Sequence, residues 1–321
     1  MDITNQSVGS IQKTKTPTPA NSMNDVAMWE YPPLSLLLTD KMSEDYSQNS
    51  TLRDLLMSAE SRKLQPPTNI RLGFTMLKEP MIRDIALLRH ILIIGGKDQE
   101  RTNLINSVLV SFLFTTNPSE IRLVLIDPTK YLTKFNGIPH LLTPVISEPN
   151  RVLSSLRWAM TEMENRYKKF AEGSLLNIGG FNEKAGFRAM PNIIILIRNL
   201  DTFYSYAPDE MEDVLFRMKG AHNAGIHIIF EFSDLSQNVF KLLPDLNTST
   251  KFVFSLPSLN NSMAIIGKSG AEKLFQGDML VSTTDSIDAI CVQTPIITDY
   301  EIQRVISFHK NTNIPINYTE K

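Results

Sequence analysis

The stretch from His90 to Asn106 reads HILIIGGKDQERTNLIN. It is an apolar run, two glycines, a short polar loop and the start of an amphipathic segment. A strand that passes through glycines into a helix can turn backbone N–H groups toward a phosphate. The corresponding pattern is G-x-x-x-x-G-K-[ST], whose lysine meets the β- and γ-phosphates and whose hydroxyl helps to hold Mg²⁺. Its positions here are Gly95, Gly96, Lys97, Asp98, Gln99, Glu100, Arg101 and Thr102. Gly95 and Thr102 fit, whereas Glu100 replaces the second glycine and Arg101 the lysine. By its letters alone the match is weak, and an ordinary strand–loop–helix also accounts for it.

The replacements have a physical consequence. A carboxylate at a helix N-terminus is favourable by about 0.3–1 kcal/mol, through the same N–H groups that would otherwise receive a phosphate. Asp98 and Glu100 therefore supply from within the chain the negative charge that a nucleotide would bring. They would also repel a triphosphate at close range. The loop reads as self-satisfied.

Other chemistry is sparse. The five histidines show no metal-ligand spacing, and His222 and His227 fall on either side of a helix–strand junction. No serine or cysteine sits in a nucleophile elbow. The one cysteine, Cys291, excludes an intrachain disulfide framework, suits a reducing compartment and is expected in the core. The segment TEMENRYKK offers i,i+4 pairs, Glu162 with Arg166 and Glu164 with Lys168, on what reads as a solvated or subunit-facing helix. Lys130, Lys134, Arg166, Lys168 and Lys169 are candidate contacts to DNA or to a neighbouring subunit.

The 321 residues, 42% hydrophobic and 21% charged, are those of a globular protein able to bury its own core. The net charge of −2 argues against coating DNA through bulk charge, though not against a local basic stripe or a basic pore. No apolar run reaches the ~18–20 residues of a membrane span. The N-terminal stretch lacks an apolar signal core and is rich in Ser, Thr, Asn and Pro, so a disordered tail and a cytoplasmic location are expected.

The elements that must position the loop follow from periodicity. TLRDLLMSAESRK is expected as a helix, with Thr51 and Asp54 in capping-box spacing. Two short strands are expected around a turn at Lys78–Pro80. Apolar strands then alternate with helices: strands at about 90–95, 121–127, 192–198, 226–232 and 251–256, helices at about 100–115, 150–172, 208–222, 260–267 and 298–310. Such alternation implies an α/β fold with a mainly parallel sheet covered on both faces by helices. Segments 278–283 and 287–293 are expected to form a hairpin.

Several longer stretches are more specific. IRLVLIDPTKYLTKFNGIPHLLTPVI, LRWAMTEMENRYKKFAEGSLLNIGGFNEK, NAGIHIIF and GAEKLFQGDML closely resemble the motor domain of FtsK/SpoIIIE-type DNA translocases. YPPLSLL and the run from TLRDLL to HILIIGG fit as well, so the resemblance spans roughly residues 27–310. It implies a RecA-like P-loop NTPase fold working as a hexameric ring around double-stranded DNA, and makes the loop at Gly95 the Walker A position. It also implies that His140 and His227 are structural.

Against that family the chain departs at each catalytic place. The Walker B strand should end in Asp-Glu, to orient Mg²⁺ and activate water, but NIIILIRNLDTF puts Arg198 and Asn199 there. Asp201 could stand in, although a turn or cap role fits it better. The Thr-Gln-Arg-Pro stretch that senses the γ-phosphate is replaced by Phe232, Ser233, Asp234 and Leu235. Met263 stands where the next helix normally carries an arginine, and one residue is missing between Pro128 and Gly137. Because the two Walker ends lie side by side in that fold, Arg198 is expected to pair with Asp98 or Glu100 across the former nucleotide site; three solvated charges at a loop edge are the alternative. The linker is reduced to Leu38–Ser50, and neither the family's membrane segments nor a terminal winged helix is expected.

The expected organisation is a tail at 1–26, a pre-motor segment at 27–89, an FtsK-like motor domain at 90–312 and a C-terminal tail at 313–321. The expected function is that of a translocase motor domain with degenerate Walker motifs, a pseudo-ATPase with no catalytic residue, metal or cofactor of its own. It would act by assembly with homologous FtsK-type ATPase subunits or copies of itself, with another protein, or with DNA. One alternative is a DNA-dependent ATPase that binds ATP and Mg²⁺ through Arg101, Thr102 and Asp201 or Asp127, although a planar guanidinium is a poor replica of an ammonium. The other is passive DNA binding.

Overall fold

The computed structural model describes residues 29–38, 50–63, 67–233, 235, 250–283, 286 and 288–311. The expected tails at 1–26 and 313–321, most of the linker and Asp234 lie outside the described residues.

Nine strands form one sheet: β1 Asn69–Thr75, β2 Pro80–Asp84, β3 Ile91–Ile94, β4 Ile121–Ile126, β5 Asn192–Ile197, β6 Ile226–Glu231, β7 Thr250–Val253, β8 Asp278–Ser282 and β9 Ile290–Gln293, in the order β2-β1-β9-β8-β7-β3-β6-β5-β4. The strands β7-β3-β6-β5-β4 are all mutually parallel. Every residue of β3, β5 and β6 is buried, as continuous Ile/Leu-rich runs require when helices cover both faces. One apolar layer joins the helices Asp98–Thr115 and Asp299–Asn311 to one face, and a second joins Pro149–Glu172 and Pro208–Arg217 to the other.

The two expected hairpins do not stand apart from this sheet. β8 pairs antiparallel with β7, and β1 pairs with β9, so segments from both ends of the chain extend the same sheet. The helix expected over TLRDLLMSAESRK is two helices, Leu52–Met57 and Ala59–Lys63. Ser58 takes an extended conformation at ψ 150° and accepts from Ser61 N, ending one helix and starting the next. The Thr51–Asp54 capping box is present.

Two of the candidate basic contacts are corrected by the structure. Arg166 pairs with Glu162 at 2.8 Å but is buried, donating to the carbonyls of Pro191 and Ala224, both at 2.9 Å. It is a structural clamp rather than a surface contact. Lys134 likewise is held by Asp299 at 2.9 Å and lies over the Tyr131 ring. Lys130, Lys168 and Lys169 are exposed. Cys291 is half-buried on β9 rather than in the core, and burial raises its thiol pKa. No helix of the described residues is long and apolar enough to cross a membrane.

Candidate functional site

The chain leaves β3 and returns to its two sides only after β4 and β5 are laid down, so β3 lies between β6 and β7. In an open α/β sheet, ligand sites form beyond the carboxyl ends of the strands at such a reversal. Three strand ends meet there. Gly95 follows β3, Arg198 follows β5, and Glu231 is the last residue of β6, between them.

Gly95 and Gly96 turn the chain with φ of +83° and +62°, a region that L side chains rarely adopt. A Cβ on Gly96 would lie 2.7 Å from the Phe254 Cβ, so the loop can lie against β7 only as glycine. Gly96 N donates to Ser255 O at 2.7 Å, and Lys97 N to Glu100 Oε2 at 2.7 Å. The other Glu100 oxygen accepts from Gly277 N at 2.7 Å, tying the loop to the start of β8. Glu100 is therefore buried and committed to backbone amides, and Asp98 makes the cross-site pair. Lys97 and Gln99 are exposed.

Arg101 points inward. It donates through Nη1 to the carbonyls of Gly95 and Gly96, both at 3.0 Å, and through Nε to Glu231 at 2.5 Å. The Arg198 guanidinium, 2% exposed, donates through Nη2 to Asp98 Oδ1 at 2.7 Å and to Thr102 Oγ1 at 3.0 Å. Its Nη1 lies 4.0 Å from Asp127, and its Nε 3.8 Å from Glu231. Asn199, at φ +48°, donates its backbone N–H to the second Glu231 oxygen at 2.7 Å. Tyr131 covers the group, its ring 5.6 Å from the Arg198 guanidinium carbon and its hydroxyl bonded to Asn106 and Asp299.

Two guanidiniums thus share Asp98, Asp127 and Glu231, and the local balance is anionic. Burying such charges is costly unless each is paired and hydrogen-bonded, and here the pairing is extensive. The Gly96 and Lys97 amides and the Thr102 hydroxyl, which could receive a phosphate or a metal ion, are engaged by the chain itself. Chemically the arrangement is a closed ion-pair network.

The remaining candidates fall into place around it. Asp201 is not a helix cap: inside the helix Leu200–Tyr204 it accepts from Ser233 N at 3.0 Å and Ser233 Oγ at 2.5 Å, tying the ends of β5 and β6. Asp127 accepts from Thr129 and from Leu132 N. Met263 is exposed on the helix Leu259–Ile266, and Phe232 is buried in the core. His140 and His227 are fully buried, with pKa values lowered to about 3 chiefly by burial. Among the described residues no group of three or more His, Cys, Asp or Glu is placed to hold a metal ion.

Glu231 and Tyr131 escaped the sequence reading. Glu231 had a signal: a lone carboxylate in the otherwise apolar strand GIHIIFEF must be paired if that strand is buried on both faces. Tyr131 had none.

Residues 51–232 match the FtsK/SpoIIIE family model. Over 272 residues the chain is 34% identical to DNA translocase FtsK of Caldanaerobacter subterraneus subsp. tengcongensis, covering 84% of this chain and 38% of that protein. It is 33% identical over 274 residues to DNA translocase SftA of Bacillus subtilis, covering 83% and 29%. The chain therefore spans about a third of the length of these relatives. Among solved structures it resembles the cytoplasmic domain of the type VII secretion ATPase EccC of Thermomonospora curvata, with a TM-score of 0.70 at 16% identity over 85% of this chain and 35% of that one. ATPases 2 and 3 of EssC from Geobacillus thermodenitrificans give a TM-score of 0.64 at 19% identity, covering 78% and 50%. These likenesses establish the P-loop ATPase motor fold.

Proposed function

We propose that this chain, which belongs to the FtsK/SpoIIIE family, is a motor-type scaffold whose nucleotide site is filled by its own side chains. It acts by assembly with an intact homologous ATPase, with another protein or with DNA, and does not hydrolyse ATP. The loop Gly95–Thr102 takes the Walker A position and Arg198–Asn199 the end of Walker B. The observation that supports this reading is the network Arg101–Glu231–Arg198–Asp98, in which two buried arginines replace a lysine and a metal ion, and carboxylates replace phosphates.

Hydrolysis in this fold needs a cation against the β- and γ-phosphates, a metal-orienting carboxylate and a residue that positions water. Arg101 is bound to Glu231 and the loop carbonyls, Arg198 cannot ligate a cation, and Asn199 cannot act as a base. An incoming triphosphate would have to break buried ion pairs and approach an anionic surface. The relatives are named DNA translocases, and DNA is therefore the partner to test beside an intact family ATPase. The test is ATP turnover by purified protein, with and without Mg²⁺ and double-stranded DNA. The reading expects none above the Thr102→Ala background; Mg²⁺-dependent turnover lost in Thr102→Ala would overturn it.

A further inference from the structure

Asp98 differs from the other members of the network in one respect. Its side chain is 66% exposed, while the two guanidiniums that converge on it are 3% and 2% exposed. Arg198 Nη2 lies 2.7 Å and Arg101 Nη2 3.5 Å from the same oxygen, Asp98 Oδ1. The Thr102 hydroxyl, which accepts from Arg198, lies 3.4 Å from Asp98 Oδ2. Asp98 is also the first residue of the 18-residue helix Asp98–Thr115, where N–H groups favour negative charge. Arg198 Nε is buried and has no hydrogen-bond partner among the described residues. The site therefore holds two buried cations, a hydroxyl and a helix N-terminus, with one exposed carboxylate on the solvent side.

We propose that Asp98 is a tethered anion occupying a latent oxyanion site, and that removing its carboxylate lets a small phosphate-type anion bind between Arg198 and Arg101. The inference rests on the reading of the site as self-filled, and adds which group does the filling. Glu231 and Asp127 cannot play this part. Both are fully buried and lie on the inner side of the arginines, with oxygens bound to the backbone of Asn199 and of Thr129 and Leu132. Glu100 is held by Lys97 N and Gly277 N. Asp98 alone combines exposure with contact to both guanidiniums. A group carried on the chain acts at an effective concentration on the order of millimolar or above, which is enough to exclude free phosphate of weak affinity. Exchange of one exposed anion for another leaves the buried pairs with Glu231 intact, which a triphosphate at the same place would not.

The experiment is a titration of wild-type protein and Asp98→Ala with inorganic phosphate, pyrophosphate and ADP, read by calorimetry and by shift of the thermal midpoint. Wild type is expected to be silent to all three, and Asp98→Ala to bind phosphate and pyrophosphate at least about tenfold more tightly, with saturation. Because losing the Asp98 side chain deprives two buried guanidiniums of a shared acceptor and could impair folding, Asp98→Asn is measured in parallel. It keeps the side-chain shape, removes the charge and is also expected to gain binding. Adding Thr102→Val to Asp98→Ala is expected to weaken the gained binding several-fold. ADP binding by Asp98→Ala no tighter than phosphate would identify the anion alone as what is recognised. Folded Asp98→Ala and Asp98→Asn that both stay silent at 10-fold the highest wild-type phosphate concentration would overturn the proposal while leaving the self-filled reading of the wild type in place. Wild-type binding of ADP with Mg²⁺ would overturn that reading instead.

Discussion

Glu231, at the end of β6, stands between Arg101 and Arg198, accepting from Arg101 Nε at 2.5 Å on one oxygen and facing Arg198 Nε at 3.8 Å with the other. All three side chains are at most 3% exposed. β6 thus carries the anion that joins the residues following β3 and β5.

Removing that anion takes away the one fully buried carboxylate that faces both guanidiniums, leaving Arg101 with the exposed Asp98 and Arg198 with Asp98 and, at 4.0 Å, Asp127. Breaking a buried pair by deleting one partner costs about 3–5 kcal/mol. Glu231→Ala is therefore expected to lose about that much stability in urea unfolding at pH 7, and Glu231→Gln less, because the amide oxygen still accepts from Asn199 N. A loss below about 1 kcal/mol for Glu231→Ala would show that the network contributes little to the fold.

Much of the architecture was legible in the chain. β3 and β5 announce themselves as near-continuous apolar runs, because a strand buried on both faces has no solvated alternate positions. The antiparallel extension was not legible as part of the same sheet, since it pairs β1 near one end of the chain with β9 near the other, and local patterns carry no information about such partners. The Arg198–Asp98 pair was legible because a family resemblance made the loop and the strand end neighbours. Glu231 was missed because its strand was read only as apolar, and Tyr131 because a surface tyrosine has no distinguishing pattern.

The glycine turn makes its own prediction. Gly96→Ala must place a Cβ 2.7 Å from the Phe254 Cβ and 2.8 Å from Glu100 Oε2, at φ +62°. Left-handed strain of about 1 kcal/mol adds to that clash, so the variant is expected to lose about 2 kcal/mol or more. Gly186→Ala, at φ +75° with nothing within 4 Å, carries the strain alone and is expected to lose about 1 kcal/mol. Equal losses in chemical denaturation would argue against close packing of the loop on β7.

Four buried histidines set an acid limit. His140 and His227 are lowered to about 3, and His90 and His309 to about 4, in each case chiefly by burial. The unfolded chain takes up protons near the ordinary value of 6.5 while the folded chain does not, so the unfolded state binds more protons between about pH 6.5 and 4. Stability is therefore full above pH 6.5 and falls as the pH drops, by about 1.4 kcal/mol per pH unit for each histidine. Urea midpoints from pH 7.5 to 5 are expected to fall steeply, and less steeply in His140→Gln. A flat profile would mean that these rings take up protons in the fold as readily as in the unfolded chain.

Arg166 separates structural from DNA-contacting charge. Arg166→Ala removes the donor to the part-buried Pro191 carbonyl and the buried Ala224 carbonyl, an expected loss of about 2–3 kcal/mol. If the chain binds DNA through the exposed Lys168 and Lys169, Lys168→Ala/Lys169→Ala is expected to reduce the slope of log affinity against log salt by up to about 2 without loss of stability. An unchanged slope would place the DNA contacts elsewhere.

The claim that the nucleotide site is filled from within is tested most directly by calorimetric titration with ATP and a non-hydrolysable analogue, with and without Mg²⁺. Ligand at ~1 mM reveals affinities better than about −4 kcal/mol. The account predicts no saturable heat under any of these conditions. Saturable, Mg²⁺-dependent binding to wild-type protein would contradict it, because Arg101 would then have to leave Glu231 and Thr102 would have to leave Arg198.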